Sequence, residues 1–211
     1  MDGNNRFSKK NNLSLFEGYR SGADKLFKLS NYIFNNYNTK IISAFGLSTN
    51  NTKRPKNIIN TLIKVLDFFL EQNKSNSKIN FNVQFRGDLS FFSNKIITKL
   101  NNFQNQFSKY DKSLIIYLNY SGQKDIIEAA SKYKFSKYNY HEFKRYLASK
   151  DTTEPELLIR TGGYQRLSDF LLFEISFTEF FFLKKLWPEM TFLDIKKIFN
   201  KFKNIERKFG Y

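Results

Sequence analysis

Five residues between positions 160 and 168 could hold an anion: Arg160, Gly162, Gly163, Arg166 and Ser168. The apolar run Leu157-Leu158-Ile159 before them reads as a short buried strand that ends at Arg160. Thr161-Gly162-Gly163 then opens a loop. Glycines there let the backbone take positive φ and let a ligand come close. Two guanidiniums, a hydroxyl and free backbone N–H groups suit a phosphate or a diphosphate. Further on, Glu179 stands among Phe177, Phe180, Phe181 and Phe182. A carboxylate in so apolar a run needs a partner, and a cation is one candidate. The same residues also suit a surface loop with two solvated arginines and a glutamate at a strand end, and composition alone does not choose.

The elements that must position these groups can be read from apolar spacing. Residues 1–12 are polar and read as a loop. Ser14 is placed to cap a helix running to about residue 33, with Tyr19, Ala23, Leu26, Leu29 and Ile33 on one face. Helices are also expected at 58–70, 89–107, 125–133, around 141–148 and, capped by Thr191, at 192–208. The apolar stripe of 58–70 is read as core. Strands are expected at 40–45, 81–85, 114–118, 157–159 and 173–177. Strands alternating with helices predict an α/β fold, a mostly parallel central sheet covered by helices, in one domain spanning 1–211.

The chain has 211 residues, enough for a sizeable core, and 25 are Phe. It lacks cysteine, which excludes a disulfide framework and a thiolate metal site. Neither a signal peptide nor an apolar run of about 18 residues is visible. The formal charge of +16 invites anionic partners. A nucleic-acid module would cluster its basic and aromatic residues on one face. Here lysines are spread along every segment, so nucleic acid is not expected as a partner.

Several motifs together resemble the cis-prenyltransferases, the undecaprenyl diphosphate synthase family. Met1-Asp2-Gly3-Asn4-Asn5-Arg6-Phe7 resembles that family's M-D-G-N-G-R-W. Ser48-Thr49, Asn51 and Lys53-Arg54-Pro55 resemble S-[ST]-E-N-W-x-R-P. Gly87-Asp88 resembles G-D, and Leu118-Asn119-Tyr120-Ser121-Gly122 resembles L-N-Y-G-G. Arg160-Thr161-Gly162-Gly163, Arg166-Leu167-Ser168-Asp169-Phe170, Glu179 and Leu186-Trp187-Pro188 follow its C-terminal signature. Glu206-Arg207-Lys208-Phe209-Gly210 resembles E-R-R-F-G. These motifs keep the family's order across nearly the whole chain.

The resemblance implies condensation of isopentenyl diphosphate with an allylic diphosphate such as farnesyl diphosphate. The product would be a cis-polyprenyl diphosphate of the undecaprenyl type used as a lipid carrier in cell-wall synthesis. Asp2 matches the aspartate that binds Mg2+ and assists diphosphate departure, and Glu179 a second contributor to the metal site, from the same or a partner subunit. Gly3, Asn4, Asn5, Arg6, Phe7, Tyr19, Ser48 and Arg54 match positions around the allylic diphosphate. Arg160, Arg166 and Ser168 match those holding isopentenyl diphosphate, and Asn51 a residue tied to condensation. Product would grow into an apolar tunnel between the sheet and the helices at 15–33 and 58–70, past Gly46. The resemblance also implies a cytoplasmic homodimer, with the aromatic run 177–182 as interface and loose contact with a membrane surface. The alternative is a non-catalytic subunit of a heteromeric prenyltransferase, although such subunits lose the first aspartate and the phosphate arginines, which are present here.

The chain departs from the family at several positions. Asn5 replaces a glycine and Phe7 a tryptophan. Leu15 and Tyr19 stand where an arginine and a histidine are common, which predicts weaker binding of the allylic substrate. Thr52 replaces an aromatic residue, and Tyr164 and Asp169 replace Glu and Asn. His141, the one histidine, lies outside every motif. In the family an apolar strand runs directly into M-D-G-N, whereas this sequence opens at that methionine. A start assigned too late, or a fragment, is the expectation, with apolar neighbours of the missing strand left unpaired.

Overall fold

The structure is a computed structural model that describes residues 1–74, 76, 78–134 and 139–208. All of its paired strands run parallel. Three of them, β1 (Ile41–Phe45), β2 (Asn82–Arg86) and β3 (Ser113–Tyr117), form a sheet in the order β1-β3-β2. The other two, β4 (Leu157–Arg160) and β5 (Glu179–Phe182), form a separate pair. Among the described residues no third strand pairs with β4, and β1 pairs only with β3. The expected α/β architecture is therefore present, with its sheet in two pieces.

Side chains of a strand alternate between faces, and here the two faces feed two cores. Leu114 and Ile116 of β3, Ile42 and Ala44 of β1, and Leu157 and Ile159 of β4 point to one cluster. Ile115 and Tyr117 of β3, Ile41 and Phe45 of β1, and Leu158 of β4 point to the other. Both pieces of sheet thus share both cores.

The first core is closed by α2 (Leu15–Asn36), α3 (Lys56–Gln72), α4 (Asn94–Gln106) and α7 (Phe192–Lys203). The N-terminus of α2 is fixed as expected. Ser14 Oγ accepts from Glu17 N at 3.2 Å, and Glu17 Oε2 accepts from Ser14 N at 2.8 Å. Each bond satisfies a donor that the first turn would otherwise leave open. Thr191 and Asp194 repeat the device on α7. The shorter α5 (Gly122–Lys132) follows β3, and α6 (Tyr140–Lys144) follows it.

Five expectations are corrected. Residues 1–12 are not all loop, because α1 (Asn4–Lys10) forms there and lies on α2. The close approach requires glycine. A Cβ on Gly18 would sit 1.8 Å from Ser8 Oγ, and one on Gly22 2.1 Å from Asn4 Oδ1. The strand expected at 173–177 is instead a run of turns, and β5 begins at Glu179. The helix expected at 192–208 stops at Lys203, and that around 141–148 shrinks to α6. The helix expected at 89–107 is split into a 3-10 turn, Leu89–Phe91, and α4. Phe209 and Gly210 of the last motif lie outside the described residues.

The turns at 173–177 bury a carboxylate. Glu174 is 2 % exposed; its Oε1 accepts from Ser149 Oγ, and its Oε2 has no partner among the described residues. Burial raises its pKa above the usual carboxylate value, and the neighbouring Asp125 charge adds to the rise. The folded state therefore holds the proton more tightly than the unfolded chain. The stability this group contributes is complete below its unfolded pKa and is lost as pH rises through its folded one. Glu174→Gln removes that loss. Its melting temperature is expected to match the parent near pH 4 and to exceed it by a margin that grows towards pH 8. Parallel pH dependences in calorimetry would contradict this.

Candidate functional site

The carboxyl ends of β4 and β5 and the start of the chain meet at one place. Asp2 N donates to Thr161 Oγ1 at 3.0 Å, and Thr161 Oγ1 donates back to Asp2 O at 3.0 Å. Trp187 N donates to the same Asp2 O at 2.9 Å. Thr161 is buried, so this join is shielded from water. Trp187 is itself anchored, its Nε1 donating to Gly22 O at 2.8 Å. The main chain at Asp2 is thereby tied to the loop after β4, to the Leu186-Trp187-Pro188 turn and, through it, to α2.

The Asp2 carboxylate stands between two guanidiniums. Arg6 Nη2 lies 3.3 Å from Oδ1, and Arg160 Nη2 lies 3.2 Å from Oδ2. Arg160 also donates from Nη1 to Ser168 Oγ at 2.7 Å and to Arg166 O. Its Nε, though buried, has no partner among the described residues. Ser168 and Asp169 both have positive φ, 53° and 68°, which turns the loop back over Arg160. The structure brings Asp2, Arg6, Arg160 and Ser168 together, with Arg166 joined to them through its main-chain carbonyl.

Gly3 and Gly162 are required where they stand. Gly3 has φ 109°, and a Cβ on it would meet Leu186 Cδ2 at 2.8 Å. Gly162 has φ 88°, and its Cβ would meet Arg6 Nη2 at 2.6 Å and Asp2 Cβ at 3.0 Å. The backbone N–H groups of the two loop glycines are not free, contrary to expectation. Gly162 N donates to Lys185 O and Gly163 N to Leu183 O, both at 2.8 Å. The register of the loop against the following strand consumes these two donors.

Asn4 and Asn5 open α1, and each has a buried Oδ1 without a partner among the described residues. Arg6 and Phe7 follow on the same helix. Asn4 also lines an apolar cavity of about 130 Å³ between α2, α3 and the sheet, with Met1, Tyr19, Gly46 and Trp187 among its other walls. Gly46 is the small floor residue foreseen: a Cβ there would lie 3.0 Å from Leu118 Cδ2. Such a cavity holds roughly one benzene-sized group, so a longer apolar tail needs α2 and α3 to part. Tyr19 is buried at the cavity wall and accepts from Arg54 Nη1 at 3.4 Å. That bond brings Arg54 to the same mouth.

Three expected residues are not joined to this cluster. Ser48 Oγ accepts from Asn51 N at 3.1 Å, which caps the 3-10 turn Thr49–Lys53. Among the described residues, no hydrogen bond connects Ser48 or Asn51 with Asp2 or Arg160. Glu179 pairs with Leu157, whereas Arg160 pairs with Phe182. Glu179 is therefore at the opposite end of the β4–β5 pair, about 10 Å along the strands at roughly 3.3 Å per residue. Within one chain Asp2 and Glu179 do not meet, and the described residues contain no group of three acidic or histidine side chains that could hold a metal ion. Two contributors were missed in sequence. Thr161 carries the hydrogen bonds that pin Asp2, and Tyr164 packs its ring against Arg6 and Arg166. The first lay in a motif already noted; an aromatic between two arginines gave no periodic signal.

Known proteins resemble this chain along its whole length. The sequence profile of the prenyltransferase family, described as undecaprenyl diphosphate synthase, matches residues 1–210. An isoprenyl transferase of Thermotoga maritima is 31 % identical, over 100 % of this chain and 94 % of its own. A ditrans,polycis-undecaprenyl-diphosphate synthase of Micrococcus luteus, specific for farnesyl diphosphate, is 30 % identical over 100 % of this chain and 88 % of its own. The crystal structure of lavandulyl diphosphate synthase from Lavandula x intermedia, in complex with dimethylallyl diphosphate, superposes with a TM-score of 0.90 at 25 % identity. It covers 100 % of this chain and 95 % of that one.

Proposed function

We infer what the site does from this premise: the chain belongs to the undecaprenyl diphosphate synthase family and is a cis-prenyltransferase. It condenses isopentenyl diphosphate with an allylic diphosphate. The observation that carries this reading is the Asp2 carboxylate bracketed by Arg6 and Arg160 beside an apolar cavity. A diphosphate head and a prenyl tail need that combination of charge and greasy space.

The finer assignments are our own. Arg6 and Arg54, with Gly3, Asn4, Asn5, Phe7 and Tyr19, hold the allylic diphosphate so that its tail enters the cavity. Arg160, Arg166 and Ser168 hold isopentenyl diphosphate. Ser48 and Asn51 border the site on a loop that closes over the substrates, and Asn51 assists the condensation. Guanidiniums aimed at a departing diphosphate stabilise its charge without reorganising, which is the largest lever available in a dry site.

Magnesium is the ion this chemistry calls for, and the residues fit it. Mg2+ is commonly held by one or two carboxylates together with substrate phosphates and water. Each Asp2 oxygen uses one hydrogen bond to an arginine, and an ionised carboxylate has about four lone-pair positions. When bound, the ion would supply Lewis-acid neutralisation of the leaving diphosphate. Glu179 could serve only through a second copy of the chain, and it lies between Phe177 and Phe180, which are 54 % and 42 % exposed. We assign that aromatic surface to a homodimer interface. We also assign the enzyme to the cytoplasm, in loose contact with a membrane surface that takes up its product, an undecaprenyl-type carrier for cell-wall synthesis. No helix among the described residues is long and apolar enough to cross a membrane.

The test is incorporation of radiolabelled isopentenyl diphosphate with farnesyl diphosphate and magnesium. Label is expected in an extractable polyprenyl product whose length chromatography reads. Absence of incorporation with any allylic diphosphate would overturn the reading.

A further inference from the structure

Helix α1 and the loop after β4 are joined by one aromatic ring. Arg6 Cζ lies 5.2 Å from the centre of the Tyr164 ring, and Arg166 Cζ lies 4.3 Å from it. Tyr164 is 46 % exposed, so it is not there to fill a core. Among the described residues, the Arg166 side chain makes no ion pair. A guanidinium that meets a ring through its π face keeps its in-plane N–H donors available. A carboxylate at the same place would occupy those donors and repel an incoming anion. The ring's negative face also offsets the repulsion between two cations that must stay close.

We propose that Tyr164 is a positioning residue that holds Arg6 and Arg166 together as one anion-gripping pair, with the donors of Arg166, and those of Arg6 that Asp2 does not engage, open for diphosphate. This rests on the reading of the site as a diphosphate site. Tyr164 does not touch the reacting atoms; it acts through the two arginines. The chain thereby couples the helix that follows Asp2 to the loop that follows β4 without spending a hydrogen bond.

The experiment compares Tyr164→Phe, Tyr164→Leu and Tyr164→Ala with the parent protein. Binding of inorganic pyrophosphate is measured by titration calorimetry in magnesium buffer, and steady-state kinetics are measured with both diphosphate substrates. Phe should rescue fully, since it keeps the ring. Leu and Ala should weaken pyrophosphate binding by about 5–30-fold, the factor expected for losing two exposed cation–π contacts. KM should rise by a similar factor while kcat is retained. Leu keeps the bulk and serves if the Ala protein does not fold. Parent-like binding by Leu, or a Phe variant as weak as Leu, overturns the proposal. A parent protein that turns over normally with such variants would leave the diphosphate reading intact. A parent that binds no pyrophosphate and incorporates no label overturns both.

Discussion

Asp2→Ala is expected to lower kcat by at least about 10²–10³-fold, the scale seen when a preorganised electrostatic group is removed from a transition state. The fold should survive. Asp2 is tied to Thr161 and Trp187 through its main chain, and those bonds do not need the carboxylate. The substitution also frees Arg6 and Arg160 from their shared counter-charge. Ground-state binding of a diphosphate should therefore hold or tighten, so KM should not rise. A fall in kcat without a rise in KM marks an interaction used only in the transition state. Initial rates at saturating substrates, with a melting curve beside them, check both halves. Unchanged turnover would remove Asp2 from the chemistry.

Gly162→Ala should be nearly as damaging by another route. Its φ of 88° costs an L-residue about 1–2 kcal/mol. The added Cβ would also stand 2.6 Å from Arg6 Nη2 and 3.0 Å from Asp2 Cβ. The arginine tip can swing away, but the aspartate cannot, because its backbone is bonded on both sides. Displacing a reacting group by about 1 Å can cost 10²-fold in rate. Gly163→Ala supplies the control: its φ is also positive, at 85°, but its Cβ would meet nothing nearer than Lys184 Cα at 3.9 Å. Both variants should lose stability in denaturant titrations, Gly162→Ala by the larger amount because it adds a clash to the shared φ cost. Only Gly162→Ala should lose most of its kcat/KM. Equal activities would show that the loop has room the geometry denies.

What could be read beforehand follows from where the information is local. The caps of α2 and α7 were visible because Ser14 with Glu17, and Thr191 with Asp194, satisfy helix ends within four residues. Strand β4 was visible because its apolar run ends sharply at an arginine. The convergence of Asp2 with Arg160 came from motif resemblance, since the two are 158 positions apart and nothing local links them. Helix α1 was hidden because a seven-residue polar segment has no helical stability of its own; it forms on glycines supplied by α2. The misplacement of β5 has a different cause. From Phe173 to Thr178 apolar and polar residues alternate, the pattern of a half-buried strand, yet the chain turns there. The buried Glu174 marks where the strand reading failed, and its partner Ser149 lies in a turn far back in the chain.

The division of the sheet leaves main-chain groups unshared on two strands. β1 and β4 each carry a row of main-chain donors and acceptors with no neighbouring strand among the described residues. Rows of that sort are templates for an extended segment of another molecule. On β1, Ile42 faces one core and Ile41 and Phe45 the other, so an extended segment added there would meet both cores.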